Sequence, residues 1–391
     1  MISPDEALAR LLALAEPINI QTLPLAEAAG RWTAEPVLAR RTQPARNLSA
    51  MDGYAIRHAD LPGPWRVIGE SAAGAPFAGQ VGPAEAARIF TGAALPAGTE
   101  SVVIQEDVTR DGDIITLSGD GTGSIGAHVR SKGSDFVTDQ VLIDAGELLT
   151  PARVGLAAIG GHSTLPVRRR ITIALMSTGD ELIPIGEEPG EDRLPASNAA
   201  MLAAMLGTLP VKITDFGIIP DDRAALTAAF VEAANHDIIV TTGGASVGDH
   251  DLVQPALIDA GATIDFWKIA MRPGKPLMAG RLGNAIALGL PGNPVSAFVT
   301  ATLFLKPLIA HLSGASNPKP ATLTARLAAD MPAVGGRTDY VRAHWVSGAI
   351  IPLSGDSGML VPLASATALI VRPADSTPVR AGADVTIIPI T

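Results

Sequence analysis

The spacing of apolar positions changes several times along the chain, and each change predicts a different architecture. Ser3-Pro4-Asp5-Glu6 precedes "ALARLLALA". This reads as a capping box with proline at the first helical position, opening an amphipathic helix. From about Trp65 to Ser118 the pattern shortens to β-like runs, "WRVIGE", "ARIFTGA", "SVVIQEDV" and "DIITLS", punctuated by Gly and Pro. That pattern predicts a small β-rich domain. "GELLTPARVGLAAIGG" returns to helical spacing ahead of "STLPVRRR".

From Arg170 to about Leu312 buried strands alternate with helices. "RITIALMSTGDEL", "VKITDFGIIPDD", "HDIIVTTGGASVG" and "ATIDFWKIAMRPGKP" read as strands, and "SNAAMLAAMLG", capped by Ser197, and "DDRAALTAAFVEAA" as helices. "NAIALGLPGNPVSAFVTATLFLKPL" reads as strand, turn and helix, with Asn293 as cap and Pro294 as first helical residue. Such alternation predicts a mostly parallel sheet covered on both faces. After the polar linker "GASNPKP" the tail returns to short strands. The expected fold is multidomain α/β plus β: N-terminal helical and β-rich parts, a central parallel α/β sandwich and a C-terminal β domain.

Composition narrows the function classes. A chain of 391 residues predicts roughly two to four domains. With no cysteine, disulfides, thiolate zinc sites and cysteine nucleophiles are excluded. The net charge of −10 is broken by no long basic cluster, which argues against nucleic acid as a partner. Apolar stretches such as "AFVTATLFL" fall short of the ~20 residues of a spanning helix, and "MISPDEALAR" has no secretory pattern. No membrane partner and a cytoplasmic location are therefore expected.

Open parallel sheets bind ligands beyond the carboxyl ends of their strands, where this sequence places its unusual loops. These are "STGDE", "PDD", "TTGGASVGDHD" and "GLPGNP". Gly243, Gly244 and Gly248 allow close backbone approach to an anion, and Thr241, Thr242 and Ser246 add hydroxyls. Asp180, Glu181, Asp221, Asp222, Asp249 and Asp251 crowd the same loops. Carboxylates around a phosphate call for a hard cation, magnesium being the usual one. Lys268, Arg272 and Lys275 supply positive charge at a neighbouring strand end. Together these point to metal-assisted chemistry at a phosphate. Plainer readings stand beside them: Asp221 and Asp251 also read as helix caps, Arg272 and Lys275 as solvated surface charges, and Asp52-Gly53 as a hairpin turn. His250 pairs with no other histidine at zinc-ligand spacing.

"SAMDGYA", "RIFTGAALPAGTESVVIQED", "STGDEL", "TTGGASVGDHD", "KIAMRPGKP", "GLPGNPVSA" and "GRTDYVRA" occur in order along the chain. Together they resemble the molybdopterin molybdenumtransferases, the MoeA proteins related to the E domain of gephyrin. The resemblance implies insertion of molybdate into adenylylated molybdopterin with release of AMP, magnesium as cofactor, and a homodimer whose clefts are shared between subunits. Contacts with the adenylyltransferase and with molybdoenzyme-maturation proteins are the further partners it implies. Four domains are implied: residues 1–50 with 136–168, residues 51–135, the molybdopterin-binding residues 169–315, and residues 316–391.

By the same resemblance the catalytic residues fall on Asp52, Thr91, Asp135, Glu181, Asp221 and Asp251, with Glu181, Asp221 and Asp251 as metal ligands. Substrate binding falls on Ser177, Thr178, Gly179, Thr242, Gly243, Gly244, Ser246, Gly248, Lys268, Arg272, Lys275, Pro291, Asn293 and Pro294. In this context Asp52 is expected at the cleft, with Gly53 shaping the corner. Family members often carry Asp-Ser-Asn where this chain has Ala196-Ser197-Asn198, and Glu100 stands where aspartate is common. A non-catalytic pterin-binding scaffold and a molybdopterin adenylyltransferase are the alternatives. Molybdate and tungstate are not separable by sequence.

Overall fold

The computed structural model describes residues 1–188, 190–243 and 252–390. Its centre is a six-stranded sheet in the order Val211–Ile219, Ile171–Thr178, Ile238–Thr242, Ala285–Leu290, Met278–Leu282, Thr263–Trp267. The first four strands run parallel, and Met278–Leu282 runs antiparallel to both of its neighbours. The two-residue period of a strand divides its side chains between two cores. Ile171, Ile173 and Leu175 pack on the face covered by the helices Ser197–Leu206 and Pro294–Thr300. Ala174 and Met176 pack on the face covered by Arg223–Ala233 and Val253–Asp259. Burial on both faces explains the near-continuous apolar run read from the sequence.

The helical stretch from Pro294 to Leu312 is 19 residues, longer than the apolar run "AFVTATLFL" within it, and 83% of its most apolar window is buried inside the protein. It is a core helix, with a π turn at Ala301–Leu305. Pro307 lies just beyond that turn and offers no N–H to the ladder, which accounts for the interruption.

Tail strands Thr338–Val346, Ala349–Pro352, Leu323–Leu327, Asp384–Pro389 and Ala368–Arg372 pair in that order, and the last returns to the first to close a barrel. A two-residue strand from the central unit, Met271–Arg272, adds in parallel to Thr338–Asp339. Tyr340, Leu363, Leu369 and Ile388 of the tail join the central core cluster. The barrel is thus docked through a continuous core.

Residues 53–117 form a separate six-stranded sheet, with Gly53–Ile56 between Glu85–Ile89 and Ser101–Ile104. A small cluster around Val37, Ile143, Leu149, Ala157 and Leu165 joins residues 23–37 to 142–167. The first helix, Pro4–Ala13, is capped by Ser3, whose Oγ accepts from the Glu6 amide at 3.1 Å. Its Ala7, Leu8 and Leu11 are buried in the central core, so this helix packs with residues 171–312 and not with that small cluster.

Candidate active site between the central sheet and the barrel

Strand ends Thr178, Thr242 and Leu290 meet at the carboxyl edge of the central sheet. The Gly243 amide donates to the Leu290 carbonyl at 3.3 Å. Gly243 has φ +101°, and an added Cβ would fall 2.2 Å from the Thr178 carbonyl oxygen. Only glycine lets the strand ends close this tightly.

A cavity of about 1370 Å³ opens at that edge, between the central sheet and the barrel. Ser177, Thr178, Gly179, Glu181, Asp221, Thr242, Gly243, Arg272, Lys275, Pro291, Asn293 and Pro294 line it, so most of the substrate loops expected from sequence converge. Thr178 Oγ1, Thr242 Oγ1 and Asn198 Oδ1 are buried in its wall with no hydrogen-bond partner among the described residues, as is the neighbouring Thr241 Oγ1. Buried polar atoms without partners are rare in native folds, and these four, of eight such atoms among the described residues, gather at one sheet edge. They suit a ligand rich in hydrogen-bonding groups.

The acids are arranged by a local division of labour. Asp222, not Asp221, caps the helix Arg223–Ala233, its Oδ1 accepting from the Ala225 amide at 2.8 Å. Asp221 does not cap that helix and lines the cavity. Its amide donates to Asp180 Oδ1 at 3.1 Å. Burial raises the Asp221 carboxyl above the ordinary aspartate range, and the charges of Asp180 and Glu181 push it the same way. Among the described residues no three histidines or acids converge as a ready-made metal centre. Glu181 and Asp221 nevertheless offer two carboxylates in one cleft, which fits magnesium's habit of using few protein ligands and completing its shell with phosphate and water. Asp251, Gly244, Ser246 and Gly248 lie outside the described residues.

Cations enter from both walls. Arg272 Nη2 lies 2.6 Å from Asp339 Oδ2, and Lys275 lines the cavity beside it. Lys268 does not line it; its Nζ sits 5.1 Å from the centre of the Trp267 ring in a cation–π contact. The barrel contributes Arg337, Asp339, Arg342 and Ser357. Arg342 Nη1 donates to the Met359 carbonyl at 2.9 Å and Nη2 to the Gly355 carbonyl, fixing the loop that faces the sheet. Asn293 Nδ2 donates to Ser357 Oγ at 2.9 Å and the Val295 amide to Ser357 O at 3.1 Å. Asn293 occupies the cap position of the helix at Pro294 but makes no side-chain cap bond; it ties the helix to the barrel instead. Ser197 is likewise the first helical residue, behind Ala196 at the cap.

Asp52, Thr91 and Asp135 do not line this cavity. Asp52 Oδ1 accepts from the Thr91 amide at 2.7 Å and from its hydroxyl at 2.9 Å. Those two bonds hold the Asp52 carboxyl below its ordinary range, with Arg88 adding to the effect. Asp52-Gly53 is not a hairpin turn: Gly53 begins a central strand, where a Cβ would strike the Val103 carbonyl oxygen at 2.1 Å. Asp135 is exposed, its amide bonded to the Gln43 carbonyl. Sequence reasoning named no site role for Asn198, Arg337, Asp339, Arg342 or Ser357. The signal was a strand, "GRTDYVRA", carrying charges at positions that prove buried, Asp339 and Arg342.

Three family descriptions match consecutive parts of the chain. They are the MoeA N-terminal region (domain I and II) over residues 2–161, the probable molybdopterin binding domain over 174–311, and the MoeA C-terminal region (domain IV) over 324–390. The molybdopterin molybdenumtransferase of Haemophilus influenzae is 36% identical over 351 residues, 88% of this chain and 86% of that protein. The chain belongs to the MoeA family. A molybdopterin molybdenumtransferase of Nostoc is 34% identical over 377 residues, covering 92% of this chain and 86% of the relative. The molybdopterin biosynthesis moeA protein of Pyrococcus horikoshii OT3 superposes over 100% of both chains with a TM-score of 0.87 at 28% identity. The MoeA assignment accounts for both the central α/β unit and the C-terminal barrel that closes the cleft.

Proposed function

We infer that this chain is a molybdopterin molybdenumtransferase acting in molybdenum cofactor biosynthesis, and that the cleft between the central sheet and the barrel is where it works. The observation that carries the reading is the convergence of the Thr178, Thr242 and Asn198 oxygens, buried and without partners among the described residues, with Arg272, Lys275, Glu181 and Asp221 in one cavity. The substrates are adenylylated molybdopterin and molybdate, and AMP is released. The threonine hydroxyls and Asn198 serve the pterin and its phosphate as hydrogen-bond partners. Arg272 and Lys275 hold the tetrahedral dianion, opposing its repulsion from the phosphoanhydride. Glu181 and Asp221 would hold magnesium, with Asp251 as the third ligand implied by the family likeness. When bound, magnesium supplies charge neutralisation at the phosphoanhydride. Asp221 is suited to this because its crowding by Asp180 and Glu181 is relieved by a cation.

Asp52, Thr91 and Asp135 enter through a homodimer, each serving the cleft of the partner. A cytoplasmic location follows from the same reading. The test incubates the protein with adenylylated molybdopterin, magnesium and micromolar molybdate, following AMP and cofactor together. AMP release that requires both ions supports the reading. Tight pterin binding without release under any metal refutes it.

A further inference from the structure

Asp339 reaches the cleft from the barrel, yet its side chain is only 8% exposed while that of its partner Arg272 is 66% exposed. We propose that Asp339 is a positioning residue for molybdenum insertion, its buried carboxylate holding the Arg272 guanidinium toward the incoming oxyanion. This rests on the reading above that Arg272 binds the oxyanion.

An arginine two-thirds exposed samples many rotamers, and ordering it on each binding event costs side-chain entropy. A carboxylate fixed inside the barrel removes much of that cost beforehand. The backbone is built for the pairing. Met271 stands opposite Thr338 and Arg272 opposite Asp339 in parallel register. The Thr338 amide donates to the Ala270 carbonyl at 2.9 Å, and the Ile269 amide to the Lys275 carbonyl at 3.0 Å. The cation loop is therefore closed on itself and hung from the barrel edge. Arg372 stands opposite Asp339 on the other neighbouring strand, with its Nη2 bonded to the Thr377 carbonyl and its Nη1 buried with no partner among the described residues. Asp339 is thus flanked in register by an arginine on each neighbouring strand.

A plain domain-docking role for Asp339 makes a different prediction, and three full-length variants separate the two. Asp339→Asn raises the KM for molybdate about tenfold, with kcat changed less than about threefold and pterin affinity unchanged. Arg272→Ala raises that KM at least as far. In the double variant the KM equals that of Arg272→Ala, and the melting temperature rises above it, because the buried carboxylate left unpaired by Arg272→Ala has been neutralised. If Asp339→Asn lowers the melting temperature but keeps the native KM while Arg272→Ala raises it, the positioning role is overturned and the oxyanion role of Arg272 survives. Multiplicative KM effects in the double variant overturn it equally. A native KM in Arg272→Ala removes both this inference and the part of the proposed function on which it rests.

Discussion

Gly243→Ala tests whether the meeting of strand ends builds the site. Gly243 sits at φ +101°, where an L side chain is strained, and its new Cβ would lie 2.2 Å from the Thr178 carbonyl oxygen and 2.9 Å from Thr178 Oγ1. Ordinary contact begins near 3.4 Å, so the two strand ends must part by more than 1 Å. The backbone conformation alone costs about 1–3 kcal/mol. Losing a bond such as that from the Gly243 amide to Leu290 adds ~1 kcal/mol, for a total of about 2–4 kcal/mol. Calorimetry should then show the transition falling by roughly 5–10 °C. A shift of that size also displaces Thr178 and Thr242, so turnover should drop on the order of 100-fold. Gly292→Ala is the contrast: its Cβ would sit 3.5 Å from the Gly243 Cα, an ordinary contact, and no left-handed φ is involved. Its stability cost should stay below ~1 kcal/mol. If Gly243→Ala melts with Gly292→Ala and keeps native turnover, the close-approach argument is wrong.

Other variants probe other layers. Asp221→Asn should raise the melting temperature slightly while abolishing turnover: a carboxyl raised in the fold is penalised at neutral pH, and amidation removes the penalty. A lower melting temperature at pH 7 would contradict that sign. At the opposite edge of the sheet Asp237 accepts from Arg169 Nη1 and Nη2 at 2.7 and 2.6 Å and from the Thr172 amide and hydroxyl at 2.8 Å. Burial opposes its ionisation, but these bonds prevail and hold it below the ordinary range. Its stabilisation is therefore present above about pH 4 and lost as pH falls through the lower folded value. Asp237→Asn should cost ~2–3 kcal/mol at pH 7 and flatten the acid limb of a pH-melting series; an unchanged acid limb would assign that limb to other groups. Mixing inactive Asp52→Ala and Asp221→Ala chains should restore about a quarter of native turnover if clefts are shared across a two-fold dimer. No recovery from verified heterodimers would place all the acids within one subunit.

The sheet was legible because burial on both faces leaves near-continuous apolar strands, and the glycine-rich loops stood out at their ends. Legibility failed where one residue shift changes a role. Nothing in "PDDR" says which aspartate caps the next helix; the structure gives that bond to Asp222 and frees Asp221. "MDG" reads locally as a hairpin, but the long-range approach of Val103 makes Gly53 a strand residue. Adjacent in sequence to the other cations, Lys268 turns onto Trp267. Arg337, Asp339 and Arg342 were hidden for the converse reason: they sit in a tail whose docking onto the cleft is a tertiary fact with no local pattern.

That docking answers the electrostatic difficulty posed by a chain of net charge −10 that must hold anions. The central unit brings Glu181 and Asp221 to the cavity beside Arg272 and Lys275, a near balance that offers a dianion little net attraction. The barrel adds Arg337 and Arg342 together with Asp339 and Asp356, two of each sign, so it changes how the charges are arranged and not their sum. Asp339 is committed to Arg272, and the Arg342 guanidinium to backbone carbonyls, so the positive charge left to face a ligand is chiefly that of Arg337, Lys275 and the exposed end of Arg272. Arg272 and Lys275 come from one loop of the central unit and Arg337 from the tail, so the full set meets only when the barrel is seated. An isolated central unit would therefore keep its cavity-facing hydroxyls, Arg272 and Lys275, but lose Arg337 and the Asp339 carboxylate that pairs with Arg272, which is a physical reason for the two units to share one continuous core.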